Sequence, residues 1–247
     1  MFEIKMDDAR YWRSIVNAIV SLIDEGTFNI SKEGISLKAM DPSGISMISF
    51  FIPNKAFSKF NVDKNTAVGL NLGNLSKFLD RSRDGEQLVM KDSGNQIELM
   101  FIGQNSKRKC TLPMIDAGKD PEKEPKIEFD AHVELKSDAL REVLKDVNLV
   151  STYANFKTDK SFFLVTGNGD AGRLEEEHLD SADMIKKLDV KNATSATFNL
   201  EYLERIVNGC PSDTTITLSL KNDDPIRIDY KIGDAALIYY LAPYLES

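Results

Sequence analysis

Cysteine is nearly absent from this 247-residue chain: there are two, Cys110 and Cys210, and neither belongs to a Cys-x-x-Cys pair or a Cys/His cluster. That scarcity excludes a disulfide framework and a structural zinc site, and fits a reducing compartment. Histidine is equally scarce. His132 and His178 stand in or beside strand-like segments with no nucleophile motif around them, and they read as exposed strand residues rather than a catalytic dyad. Long apolar runs are missing as well: Ile45 to Ile52 and Ala235 to Ala242 fall far short of the ~20 residues that span a bilayer, so no membrane partner is expected. The N-terminus, Met1-Phe2-Glu3-Ile4-Lys5, alternates like a strand and lacks the basic-then-apolar pattern of a leader, so the chain is expected to stay where it is made.

Positive charge is not in excess either. The chain has 31 bases against 39 acids, a net charge of -8, which excludes a uniformly basic nucleic-acid binder. With 28% charged and 42% hydrophobic residues it has the composition of a globular protein, long enough for one large domain or two smaller ones.

What is present is unevenly spread. The stretch Ala117 to Pro125 holds two prolines and five charges and reads as a linker. Cutting at Asp116 leaves 15 bases and 14 acids before it, net +1, and 16 bases and 25 acids after it, net -9. The expected organisation is an N-terminal domain over residues 1–116, a connecting linker over 117–128 and a C-terminal domain over 129–247.

Despite their charge difference, the two parts repeat one pattern. Asn71-Leu72-Gly-Asn-Leu75-Ser-Lys-Phe78-Leu79 matches Asn199-Leu200-Glu-Tyr-Leu203-Glu-Arg-Ile206-Val207 at an offset of 128, asparagine and apolar positions in register. Both segments have helical spacing, with the asparagine placed to cap the start. At an offset of 131, Ala9, Trp12, Val16 and Ile19 fall on Leu140, Val143, Val147 and Val150. Four one-sided helices are predicted, over 9–23, 72–83, 138–150 and 199–209, each with one apolar stripe. Period-two alternation predicts strands from Thr27, over 34–40, 45–52, 87–91, 96–102 and 107–112, then over 162–166, 215–220, 226–232 and 236–241. The fold class is α+β, an internal duplication of about 120 residues per copy.

Signals of chemistry are weak. Gly167-Asn-Gly-Asp-Ala-Gly172 matches G-x-G-x-x-G after a strand, but Arg173-Leu-Glu-Glu-Glu-His178 follows it in place of a helix, so it reads as a polar hairpin turn. Glu175, Glu176 and Glu177 point to alternating faces of a strand and make a poor cation cage. No P-loop is present, and no cofactor, metal or catalytic residue is expected. The helix faces say more: the four predicted helices carry nets of +2, +2, -1 and -1, so positive charge is enriched on helices of an otherwise acidic chain.

Several segments together carry a family likeness. Met1-Phe2-Glu3, Leu22 to Glu25, Gly34 to Ser43 with its Ala-Met-Asp-Pro-Ser, Gly69 to Leu72 with Ser76-Lys77, Pro225 to Tyr230 and Tyr239-Tyr-Leu-Ala-Pro243 closely resemble the proliferating cell nuclear antigen family of DNA sliding clamps. The likeness spans the chain in order, and the short tail after Pro243 resembles the archaeal members. It implies two similar domains per chain, antiparallel sheets outside and four helices lining the inside of a trimeric ring.

The resemblance also implies a function and its surfaces. A non-enzymatic processivity factor for DNA replication and repair would encircle duplex DNA without sequence specificity. It would tether DNA polymerase, clamp loader, ligase and flap endonuclease through short peptide motifs, in the cytoplasm near an archaeal nucleoid or in a eukaryotic nucleus. Lys5, Arg10, Arg13, Lys77, Arg81, Arg83, Arg141, Lys145 and Arg205 would face DNA, while Ser14 and Val20 stand where members often have further lysines. A partner pocket would comprise Met40, Ile45, Met47, Ile127, Pro225, Tyr240, Leu241, Ala242 and Pro243. The subunit contact would set Lys107, Arg108 and Lys109 against Glu175, Glu176 and Glu177, with Glu142 and Asp146 as further acidic partners. The alternatives are a clamp-fold checkpoint scaffold that does not encircle DNA and a nucleotide-dependent enzyme using Gly167 to Gly172.

Overall fold

The computed structural model describes residues 1–116 and 123–245. Residues 117–122 of the expected linker lie outside the described residues, and 123–128 form neither helix nor strand. The first set of elements is β1 (Phe2–Met6), α1 (Ala9–Val20), β2 (Glu25–Ile30), β3 (Gly34–Met40), β4 (Ser46–Pro53), β5 (Lys59–Val62), β6 (Thr66–Asn71), α2 (Leu72–Leu79), β7 (Gln87–Asp92), β8 (Gln96–Ile102) and β9 (Lys107–Pro113). The second is β10 (Ala131–Lys136), α3 (Ser137–Asn148), β11 (Tyr153–Asp159), β12 (Phe162–Gly169), β13 (Gly172–Leu179), β14 (Ile185–Val190), β15 (Thr194–Asn199), α4 (Leu200–Asn208), β16 (Thr215–Leu220), β17 (Ile226–Ile232) and β18 (Ala235–Leu241).

Apart from a 3-10 turn at Asn54–Ala56, each set reads strand, helix, five strands, helix, three strands. The pairing repeats as well. β1 lies between β5 and β7 as β10 lies between β14 and β16, and β2 between β3 and β6 as β11 between β12 and β15. Local bonds follow the same offset of 128: the Leu72 amide donates to the Asp24 carbonyl at 2.8 Å, and that of Leu200 to Thr152 at 2.9 Å. The asparagine caps are real. Asn71 Oδ1 accepts from the Asn74 amide at 2.8 Å and Asn199 Oδ1 from that of Tyr202 at 3.3 Å, satisfying amides that a helix start leaves open.

The chain forms two compact units, and each borrows a short segment from the other end of the sequence. The first contains Met1–Pro42, Ile48 onward to the linker, and Ile232–Leu237; the second contains Ser43–Met47, Lys123–Lys231 and the chain end from Ile238.

In the first unit, strands in the order β5-β1-β7-β8-β9 and β4-β3-β2-β6 enclose a core centred on Trp12. Its ring lies 5.7 Å from Phe28, 6.2 Å from Phe50 and 6.4 Å from Phe57. Ile15, Val16 and Ile19 complete the buried stripe of α1. Beside them, the Tyr11 hydroxyl donates to the Ile232 carbonyl at 2.9 Å and accepts from the Asp234 and Ala235 amides.

In the second unit the orders are β13-β12-β11-β15 and β14-β10-β16-β17-β18. Phe156 packs against Phe163 and Phe198, and Tyr230 stacks on Tyr239 with hydroxyls 2.9 Å apart. The Gly-x-Gly-x-x-Gly segment is a hairpin in which Gly169 pairs with Gly172 across Asp170 and Ala171. Its glycines serve close packing: a Cβ on Gly169 would lie 2.2 Å from the Val150 carbonyl oxygen, and one on Gly167 2.8 Å from Val147. No helix follows, so the segment offers no helix N-terminus to a phosphate.

Both histidines depart from the sequence expectation. Each is half-buried rather than exposed: His132 Nδ1 lies 2.9 Å from Ser219 Oγ, its cross-strand partner, and His178 Nε2 lies 3.1 Å from Glu176 Oε1.

Candidate functional site

The four helices present their bases in two different states. In the first unit, Asn17 on α1 donates to Asp80 and accepts from Ser76, joining α1 to α2 at 3.0 and 2.8 Å. Arg13 lies one turn before Asn17, and Lys77 and Arg81 lie beside Ser76 and Asp80. These three and Arg83 make no ion pair among the described residues, and all but Arg13 are exposed. Arg10 differs: it is held by Asp8, the residue capping α1, at 3.0 Å and by Asp84 at 2.8 Å. The Arg10 hydrogen bond keeps the Asp8 carboxyl below its usual range. Lys5 is half-buried on β1.

In the second unit the equivalent asparagine also bridges to a carboxylate, Asn148 donating to Glu204 on α4 at 3.0 Å. Each helix base is taken up locally. Arg141 pairs with Asp138 and donates to the carbonyls of Val207 and Cys210 at 3.3 and 2.9 Å, which ties α3 to the end of α4. Lys145 pairs with Glu142 at 2.7 Å, and Arg205 pairs with Glu201. Asp146 is exposed.

A second feature is a pair of open edges. β9 ends one strand order and β13 another. The other ends are managed: the Ile115 amide covers Gly69 on β6 and that of Tyr244 covers Thr197 on β15, β5 has four residues, and β14 displays Lys186 and Lys187. On β9, Lys107 and Lys109 face out, while Arg108, Cys110 and Leu112 face in. On β13, Glu175 and Glu177 are exposed and Glu176 is half-buried. Lys109 pairs with Glu98, and Glu175 with Arg173.

Arg108 is engaged inside its own unit. It pairs with Glu86, donates to the Arg81 carbonyl at 3.0 Å and lies 4.9 Å over the Phe101 ring. The Glu86 side chain is 3% exposed. Burial pushes its carboxyl up, but the Arg83 amide and the Arg108 guanidinium outweigh that and hold it below the usual value. Sequence reasoning missed Glu86, although period-two parity with the buried Leu112 marks Arg108 as inward-facing.

The third feature is the apolar chain end. In the second unit, the Ala242 amide donates to the Ile45 carbonyl at 2.9 Å. Ile45 is exposed, and Ile127, Pro225, Ala242 and Pro243 are half-buried, whereas Met47, Tyr240 and Leu241 are buried. The Tyr240 hydroxyl donates to Glu124 at 3.3 Å. Met40 belongs to the first unit and is exposed. No group of three or more His, Cys, Asp or Glu able to hold a metal ion occurs among the described residues, and no described helix is long and apolar enough to cross a membrane.

Comparison with known proteins places this architecture. The family model for the proliferating cell nuclear antigen N-terminal domain matches residues 1–122, and that for the C-terminal domain matches 123–245. The DNA polymerase sliding clamp of Thermococcus gammatolerans is 31% identical, covering 100% of this chain and 99% of the relative. That of Cenarchaeum symbiosum is also 31% identical, with the same coverage. Among solved structures, PCNA from Thermococcus kodakaraensis superposes with a TM-score of 0.94 at 24% identity, covering 99% of this chain and all of that one. A. fulgidus PCNA bound to the C-terminal region of FEN-1 gives 0.88 at 20% identity, with full coverage of both. Two family models in tandem, full-length relatives and an element order written twice agree that the chain belongs to the proliferating cell nuclear antigen family.

Proposed function

We propose that this chain is a DNA sliding clamp: copies close head to tail into a ring around duplex DNA, and the ring tethers replication and repair factors. The observation that carries the reading is the fate of two matched strand pairs. By the duplication, β9 corresponds to β18, the third strand after the second helix, and β13 corresponds to β4, the third strand after the first. β18 neighbours β4 in the strand order, whereas β9 and β13 are open. A β9 edge laid on the β13 edge of the next copy repeats the pairing of β18 with β4. Such heterologous contact closes into a ring when the rotation permits; three copies is the number the family resemblance implies.

Charge favours the same partner. The outward lysines of β9 meet the outward glutamates of β13, and rim pairs of ~0.2–1 kcal/mol each set register more than affinity. The reading is non-enzymatic. Polymerase, loader, ligase and flap endonuclease would dock through short peptides on the second-unit surface of Ile45, Ile127, Pro225, Ala242 and Pro243. Replacing Ile45→Ser with Pro243→Ala is expected to weaken a motif peptide about tenfold in calorimetry, the loss of one apolar anchor.

The deciding experiment is mass in solution. The wild type is expected as a trimer and Lys107→Glu with Lys109→Glu as a monomer, with Glu175→Lys and Glu177→Lys added to the same chain restoring assembly. Arg108 is left unchanged because reversing it would set an acid against Glu86. A reversed chain that stays trimeric on dilution removes β9 from the interface.

A further inference from the structure

We infer that duplex DNA is held by the helices of the first unit, and that the helices of the second are electrostatically closed to it by their own acids. This rests on the clamp reading and assigns the DNA contact unequally within it. Within their structural bounds, α1 and α2 carry Arg10, Arg13 and Lys77 with no acid, net +3. α3 and α4 carry Asp138, Glu142, Asp146, Glu201 and Glu204 against Arg141, Lys145 and Arg205, net -2.

Pairing widens the difference. Asp80 accepts from Asn17 and Asp84 pairs with Arg10, while Lys77 and Arg81 are exposed and make no ion pair among the described residues. Lys145 and Arg205 each have a carboxylate at contact distance. At phosphate range a contact pair has the field of a dipole, much weaker than that of a lone cation. For either base to meet a phosphate, its carboxylate must be left facing the same phosphate, which opposes the gain. These pairs are exposed and individually weak, but counterion release depends on free cations.

The duplication fixes the matched positions. Asn17 and Ser76 become Asn148 and Glu204, so the carboxylate that takes the helix-bridging asparagine moves from Asp80, at the end of α2, onto α4 itself; Lys77 becomes Arg205, with Glu201 added where the first unit has Gly73. The same scaffold is therefore tuned to accept phosphate in one copy and to refuse it in the other.

The test uses the assembled protein and a labelled duplex of about 30 base pairs, with anisotropy read across a salt series. Lys77→Gln with Arg81→Gln is expected to flatten the slope of log affinity against log salt by up to ~1.8 for each chain that contacts the duplex, at ~0.9 per phosphate contact. Glu201→Gln with Glu204→Gln is expected to steepen it by freeing Arg205 and unmasking α4. Either pair leaving the slope at the wild-type value overturns the inference. Retention of the wild type on circular against linearised duplex is measured alongside: no preference for the circle overturns the clamp reading itself, whereas circle preference with equal slopes overturns only the unequal assignment.

Discussion

The two units are built to one plan and stabilised by different means. At matched positions the first core has Trp12 and the second Val143. The first is organised around one large indole among three phenylalanines, the second around Phe156 with its two ring neighbours and the buried Tyr230–Tyr239 pair. Charge differs as well: the first unit buries Glu86 against Arg108, whereas in the second Arg141 combines its pair with Asp138 with bonds to helix-end carbonyls. A duplicated topology thus constrains which strands pair and which helix faces are covered. It leaves the residues that fill the core open.

The strongest way to break the comparison is Trp12→Val, which gives the first unit the residue that the second uses. Emptying so large a buried site is expected to cost about 3–4 kcal/mol, read as a lower urea midpoint, with near-ultraviolet circular dichroism losing the only tryptophan signal. Val143→Trp is not the reverse experiment, because it adds an indole to a core that already buries Phe156, Phe163 and Phe198.

Next is Arg108→Ala, expected to cost about 3 kcal/mol by leaving Glu86 buried and unpaired. The ionised Glu86 contributes stability above its ordinary value of 4.5, and that contribution is lost as pH falls through its lower folded value. Wild-type stability is therefore expected to decline as pH falls below the ordinary glutamate value of 4.5, and the variant to decline less over the same range in urea melts.

The smallest effect sharpens the likeness rather than the difference. Asn71→Ala and Asn199→Ala remove the same cap from α2 and α4, and each is expected to cost about 1 kcal/mol. A large inequality between the two midpoints would show that the caps are alike in geometry only.

Much of this was legible in the sequence. The helices were, because the stripes Trp12, Ile15, Val16, Ile19 and Leu200, Leu203, Ile206, Val207 have no competing pattern. Strands with weak alternation were not. β5 is Lys-Phe-Asn-Val and half exposed, β6 is interrupted by Gly69, and β11 buries Ala154 and Thr158 as well as Phe156. These pair because their neighbours in the sheet specify them, which no local window reports. The edge strands were readable from their like charges, and strand parity marks Arg108 as inward-facing, but its partner Glu86 was not readable, since that contact spans 22 residues. Arg10, Arg13, Lys77, Arg141, Lys145 and Arg205 lie on the helices predicted for them, whereas Arg81 and Arg83, expected on a helix over 72–83, stand past the end of α2 at Leu79. The acids that occupy Arg141, Lys145 and Arg205 stand three or four residues away on the same helix and were legible as such, whereas the contact of Arg10 with Asp84, 74 residues on, was not.

The exchanged segments bear on how the protein is made. The first unit needs Ile232–Leu237, and the second needs Ser43–Met47 from near the start. Translation at about 5–20 residues per second puts on the order of ten seconds between emergence of the linker and emergence of that last segment. During that interval the Tyr11 hydroxyl has water in place of the Ile232 carbonyl and the Asp234 and Ala235 amides. A ribosome stalled before residue 232 would hold neither unit finished, so synthesis completes both in a single closing event, when β18 arrives, rather than one after the other.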